Sequence, residues 1–107
     1  MVKARRFEVW LINLDPTIGR EIKKTRPCLV VSPAEMDALQ TVIIAPLTSS
    51  GFAFPMRVNV NFDEKAGFIL LDQLRSVDRT RLVKKLGQID TTKAQEVCTL
   101  LQQMFAF

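Results

Sequence analysis

At 107 residues the chain has room for one hydrophobic core and no second domain, so a single domain spanning 1–107 is expected. Hydrophobic residues make up 48% and charged residues 24%, with a mean hydropathy of +0.12, which excludes a disordered chain and is apolar for a small monomer. The net charge of +4 suits an anionic partner, while the absence of histidine and tyrosine excludes nuclease chemistry built on paired imidazoles.

Taken in order, Met1 to Arg6 is basic and followed by no apolar leader, and no run approaches membrane-spanning length, so a soluble cytoplasmic protein without a membrane partner is expected. Arg6 to Ile12 reads as a strand, with Phe7, Val9 and Leu11 on one face and Glu8, Trp10 and Ile12 on the other. Asn13 to Pro27 is a polar loop, turned by Asp15-Pro16 and Gly19 and rich in charge. Cys28 to Ser32 is a buried strand between two prolines, Pro33 to Gln40 a short helical turn, and Thr41 to Leu47 a third strand buried on both faces. A hydroxyl-rich turn, Thr48 to Gly51, follows.

Met56 to Phe62 alternates strictly, with Met56, Val58, Val60 and Phe62 inward and Arg57, Asn59 and Asn61 on an outward face suited to nucleic acid. A turn over Asp63 to Gly67 leads into a strand, Phe68 to Asp72, that ends on a carboxylate. Gln73 to Arg81 is polar, and Leu82 to Ile89 is a last strand with the exposed pair Lys84-Lys85. Ala94, Val97, Cys98, Leu101, Met104 and Phe105 follow helical spacing, with Thr92 and Gln95 as a capping box, so a helix is expected from about Thr92 to about Met104 with its apolar stripe closing the core. Short strands and one terminal helix predict a bent antiparallel sheet or open barrel.

Polar clusters stand where strands end: Arg20 to Arg26, Thr48 to Ser50, and Asp72 to Arg75. A loop carrying Arg20, Lys23, Lys24 and Arg26 around the carboxylate Glu21 can hold phosphates and leave one acidic group for proton transfer; the alternative is a solvated loop. Cys28 and Cys98 lack metal-ligand spacing, and no carboxylate cluster suits two metals, so neither metal nor cofactor is expected.

Four segments together resemble the MazF/PemK (Kid) toxins of bacterial toxin–antitoxin systems, mRNA interferases: Val9 to Thr17 with Gly19-Arg20-Glu21, Arg26 to Ser32, Ala45 to Ser49, and Gly67 to Asp78. The resemblance implies a mostly β protein, an SH3-like small β-barrel with a C-terminal helix. It also implies a homodimer, restrained by a cognate antitoxin and reaching operator DNA only through that complex. The substrate implied is single-stranded mRNA, cut without metal by its own 2′-hydroxyl to leave 2′,3′-cyclic phosphate and 5′-hydroxyl ends. Carried onto this sequence, Arg26 stabilises the phosphorane and Thr48 hydrogen-bonds a phosphate oxygen, with Glu21 as base for the 2′-hydroxyl and Asp72 as a base or an arginine orienter. RNA contacts are expected from Arg20, Lys23, Lys24, Ser49, Arg57, Gln73 and Arg75. Some members carry histidine where Arg20 stands and a basic residue where Leu70 stands, so schemes built on those groups do not transfer.

The competing structural readings are an Arg26–Glu21 salt bridge, turn capping by Thr48, and Asp72 paired with Arg75. Trp10 is expected in the core or a dimer surface rather than under a base. Two other functions fit the same outline: a toxin that binds DNA gyrase, and an SH3-like RNA-binding module, for which clustered exposed aromatics are not evident in the sequence.

Overall fold

A computed structural model describes residues 3–107; Met1 and Val2 lie outside them. The described residues form seven strands and one α-helix: β1 (Glu8–Asn13), β2 (Thr25–Val30), β3 (Thr41–Thr48), β4 (Arg57–Phe62), β5 (Lys65–Leu70), β6 (Arg75–Asp78), β7 (Leu82–Gln88) and α1 (Thr91–Met104). All pairings are antiparallel, in the order β4-β5-β3-β2-β1-β7, with β6 also on β3. This is the expected bent sheet with a terminal helix. Among the described residues no helix is long and apolar enough to cross a membrane.

The apolar runs in β2 and β3 follow from burial on both sides. Leu29, Ala45 and Leu47 face one core with Val9, Val58, Ile69 and the helix residues Ala94 and Val97; Cys28, Val30, Val42 and Ile44 face a second with Ile12, Val77 and Leu82. Successive residues enter opposite cores, as the period of two requires. Each fully buried Val, Leu or Ile contributes roughly 1.5–3 kcal/mol. The two faces expected for the first strand are observed, with Val9 and Phe7 in one core and Ile12 and Trp10 in the other.

The longest strand, β3, is the common rail. Thr41 to Ile44 pair with β6, and Leu47 and Thr48 pair with Ile69 and Phe68 of β5. Between β5 and β6 the chain makes a 3-10 turn, Leu71–Gln73, so Asp72 sits in a turn rather than at a strand end. The polar stretch after Gln73 thus contains a strand that the sequence reading lacks.

Two other boundaries move. The β4–β5 turn is only Asp63-Glu64, both in left-handed backbone (φ 53° and 63°), because the twist of a two-residue hairpin favours positive φ at both centres. Gly67 lies inside β5 instead, where a Cβ would stand 2.1 Å from the Thr48 carbonyl oxygen. The helix is capped by Asp90, whose carboxylate accepts the Lys93 N–H at 2.8 Å, so the cap lies earlier than the expected Thr92. The sheet curls until its outer strands approach without pairing: the Phe62 ring of β4 lies 3.3 Å from where a Cβ on Gly87 of β7 would stand.

Candidate active site

The β1–β2 loop is closed on itself before anything else holds it. Asn13 Oδ1 accepts the Asp15 N–H at 3.1 Å, Asp15 Oδ1 accepts the Lys24 N–H at 2.9 Å, and the Leu14 N–H donates to the Lys24 carbonyl at 2.9 Å. Distant side chains then fasten it. Arg75 Nη1 donates to the Leu14 carbonyl at 3.1 Å, Arg81 Nη1 to the carbonyls of Asn13 (3.1 Å) and Asp15, and Gln73 Oε1 accepts the Ile22 N–H at 2.9 Å. Hydrogen bonds with a charged partner contribute about 1.5–3 kcal/mol each, so this loop is a built surface.

Where the curled sheet stops short of closure it leaves a cleft of about 1000 Å³. One wall is the β1–β2 loop, with Glu21, Lys23 and Lys24, continued by the start of β2, where Arg26 stands paired with Ile12 rather than in the loop expected for it; the other is the end of β3, with Thr48 and Ser49; Val60, Phe62 and Leu86 line it between them. Gly67 lets β5 approach Thr48 closely enough to set that wall. Arg26 is exposed, and its Nε donates to the Lys23 carbonyl at 3.2 Å. Among the described residues no carboxylate forms an ion pair with it; Glu21 Oε1 instead accepts the Ile18 N–H at 2.6 Å. The Thr48 hydroxyl shares a hydrogen bond with the Ser50 hydroxyl at 3.1 Å and accepts the Ser50 N–H at 3.2 Å. The cleft therefore offers a guanidinium, the ammonium groups of Lys23, Lys24 and Lys65, hydroxyl donors, and the carboxylates of Glu21 and Asp63.

Behind it, Cys28 is fully buried, its thiol donating to the Arg26 carbonyl at 3.5 Å. Burial pushes the Cys28 thiol up to about 12, against a smaller opposite pull from Arg75, so it stays protonated at neutral pH. On β1, burial works to raise the Glu8 carboxyl, but the Arg5 N–H, the Trp10 indole and Lys85 together hold it below its ordinary value. Trp10 donates to Glu8 Oε1 at 3.0 Å and packs on the second core, which gives it the structural role expected for it.

The remaining sequence candidates lie outside the cleft. Arg20 is exposed, and its carbonyl accepts from Gln73 Nε2 at 3.5 Å. The side chains of Gln73 and Arg75 are engaged in holding the loop. Asp72 pairs with Arg57, not Arg75: Arg57 Nε and Nη2 reach its two carboxylate oxygens at 3.1 Å each. Arg81 escaped the sequence reading because its role is to hold backbone carbonyls across 66 and 68 residues. Phe52 and Phe54 escaped it too, and they are a cluster of exposed aromatics beside Arg57; their signal is Phe-x-Phe-Pro in a turn-rich loop. Among the described residues no three His, Cys, Asp or Glu side chains gather to hold a metal ion.

Residues 5–105 match the family model of the PemK-like, MazF-like toxins of type II toxin–antitoxin systems. The chain is 36% identical over 99 residues to the endoribonuclease PemK of Escherichia coli, covering 86% of this chain and 74% of that protein. It is 30% identical over 106 residues to the endoribonuclease EndoA of Bacillus subtilis, covering 92% and 91% of the two chains. In structure it resembles crystalline MazF of Deinococcus radiodurans with a TM-score of 0.85 at 25% identity, over the full length of both chains.

Proposed function

The chain belongs to the PemK-like, MazF-like toxins of type II toxin–antitoxin systems, and from that membership we propose that it is a metal-independent endoribonuclease acting on single-stranded mRNA. One observation carries the reading: Glu21 and Arg26 line one cationic cleft with Thr48, which comes from a different strand. In the proposed reaction the 2′-oxygen attacks the adjacent phosphorus, its proton passing to the Glu21 carboxylate. The bond to the 5′-oxygen breaks and that oxygen takes a proton from solvent water, leaving a 2′,3′-cyclic phosphate and a 5′-hydroxyl. Arg26 and Thr48 donate to the non-bridging oxygens, whose charge grows in the transition state; a guanidinium keeps its proton to beyond pH ~12, so its role is electrostatic. Lys23, Lys24 and Ser49 hold flanking phosphates.

The endoribonuclease names of the relatives favour cleavage over a gyrase poison or a passive RNA-binding module. Family membership supports a cytoplasmic toxin held in check by a cognate antitoxin. Val83 and Leu86, 58% and 38% exposed on the outer strand β7, supply apolar surface for the homodimer included in this reading. The test is incubation of the purified protein with a long single-stranded RNA in excess EDTA, beside Arg26→Ala, with end-group analysis. Discrete cuts with cyclic phosphate ends, absent in the variant, are expected; intact RNA at high protein excess overturns the reading.

A further inference from the structure

The β3–β4 loop carries two aromatic rings that the proposed chemistry leaves unused. Phe52 and Phe54 are 65% and 52% exposed, yet they are braced. The rings meet edge to face with centroids 6.4 Å apart. The Arg57 guanidinium lies 4.8 Å from the Phe52 centroid and 6.0 Å from that of Phe54, and it donates to the Phe52 carbonyl at 3.2 Å. Asp72 clamps the same guanidinium with both oxygens. A side chain with two carboxylate bonds, a carbonyl bond and a ring against it is a strut. Its charge is matched by Asp72, so it stiffens the loop rather than adding to the phosphate-attracting field of Lys23, Lys24 and Arg26.

We propose that Phe52 and Phe54 form a stacking platform for an unpaired base of the RNA strand that crosses the cleft, an inference that rests on the endoribonuclease reading above. Ser50 lines the cleft, and Phe52 follows two residues later, at most ~7 Å along the backbone. A strand that lies in the cleft and leaves it past Ser50 brings its next bases to the rings. Stacking on an aromatic face is open to every base, so the platform supplies affinity and leaves the choice of cut site to other contacts. This continuity with the cationic cleft is what favours RNA over a protein segment as the occupant.

The test measures the affinity of the full chain for a short mixed-sequence single-stranded RNA, 2′-O-methylated throughout so that it cannot be cut, across a salt series. Phe52→Leu/Phe54→Leu keeps apolar bulk and removes the rings; Phe52→Trp/Phe54→Trp keeps a stacking face. The leucine variant is expected to raise Kd by about 5- to 150-fold per base lost from the stack, with the slope of log Kd against log salt unchanged because the phosphate contacts remain. The tryptophan variant is expected to bind as wild type does, and both to melt as wild type does. A leucine variant that binds as tightly as a wild-type protein that still cuts RNA overturns the platform alone. Loss of antitoxin binding by that variant with RNA affinity intact likewise overturns it, assigning the rings to the protein partner. A wild-type protein that neither cuts nor binds RNA removes the endoribonuclease reading and the platform with it.

Discussion

Gln73 Oε1 accepts the backbone N–H of Ile22 at 2.9 Å, a bond across 51 residues that fastens the middle of the β1–β2 loop to the 3-10 turn between β5 and β6. Ile22 adjoins Glu21, so the bond sets where that carboxylate stands. Gln73→Ala is expected to cost the loop about 0.5–1.5 kcal/mol of local stability, read as faster amide exchange at Ile22 while the strands keep their protection. RNA cleavage should fall with it.

Arg26 and Thr48 are predicted to act on transition-state charge rather than on binding alone. Arg26→Ala is expected to lower kcat by roughly 10²–10³, the usual cost of losing one such donor. Arg26→Lys keeps charge but loses the planar fork, so it should restore RNA affinity without restoring most of the rate. Thr48→Ser should retain activity and Thr48→Val lose it, measured as single-turnover cleavage.

The contact between Gly67 and Thr48 admits no Cβ, the overlap being with backbone. Gly67→Ala is expected to destabilise the fold by about 1–3 kcal/mol in urea melts, as overpacked sites do. Its cleavage rate should fall below what the folded fraction explains, because β5 can yield only by moving the end of β3.

Glu8 makes stability pH-dependent in acid. Its carboxyl lies below the ordinary value of 4.5 in the folded chain, so between the two values the unfolded chain binds more protons. Its contribution is complete above pH 4.5 and is lost as pH falls through the folded value. Asp78, lowered by the Thr80 N–H and hydroxyl and the Gln40 amide, adds a loss of the same sign. Chemical melts from neutral pH into acid should show Glu8→Gln flattening the part of the slope due to Glu8.

Cys28 is buried and Cys98 only half-buried. With its thiol pushed up to about 12, Cys28 has little thiolate at neutral pH. Iodoacetamide followed by mass spectrometry should modify Cys98 first, and Cys28 only as the protein unfolds.

The sequence carries the fold where a pattern is local. Cys28 to Val30 and Thr41 to Leu47 are legible as strands because both faces are apolar, and Val58 because its neighbours alternate. β6 is illegible for the opposite reason: of Arg75, Ser76, Val77 and Asp78 only Val77 is buried, and the strand exists because β3 offers it a free edge. Gly67 reads as a turn residue, whereas its smallness serves a contact 19 positions away in β3. At the site, the charges of the loop and the hydroxyl of Thr48 are visible in the chain, and resemblance to the family is what joins them. The partner of Asp72 is not visible, since Arg75 is the near neighbour in sequence and the pairing with Arg57, 15 residues away, is set by the strand pairing and the 3-10 turn.

The split edge of β3 divides the molecule by how freely it can change. Thr48 ends a strand that carries both cores, so its position is inherited from the whole fold, and substitutions around it are paid for in stability. The β1–β2 and β3–β4 loops leave that frame and return to it at fixed points, with one braced by Gln73, Arg75 and Arg81 and the other by Arg57. Exchanging the β3–β4 loop between relatives together with its Arg57–Asp72 brace would change the surface that flanks the cleft while Glu21, Arg26 and Thr48 keep their places, which makes such toxins natural stock for engineering RNA scissors with an altered grip on their target.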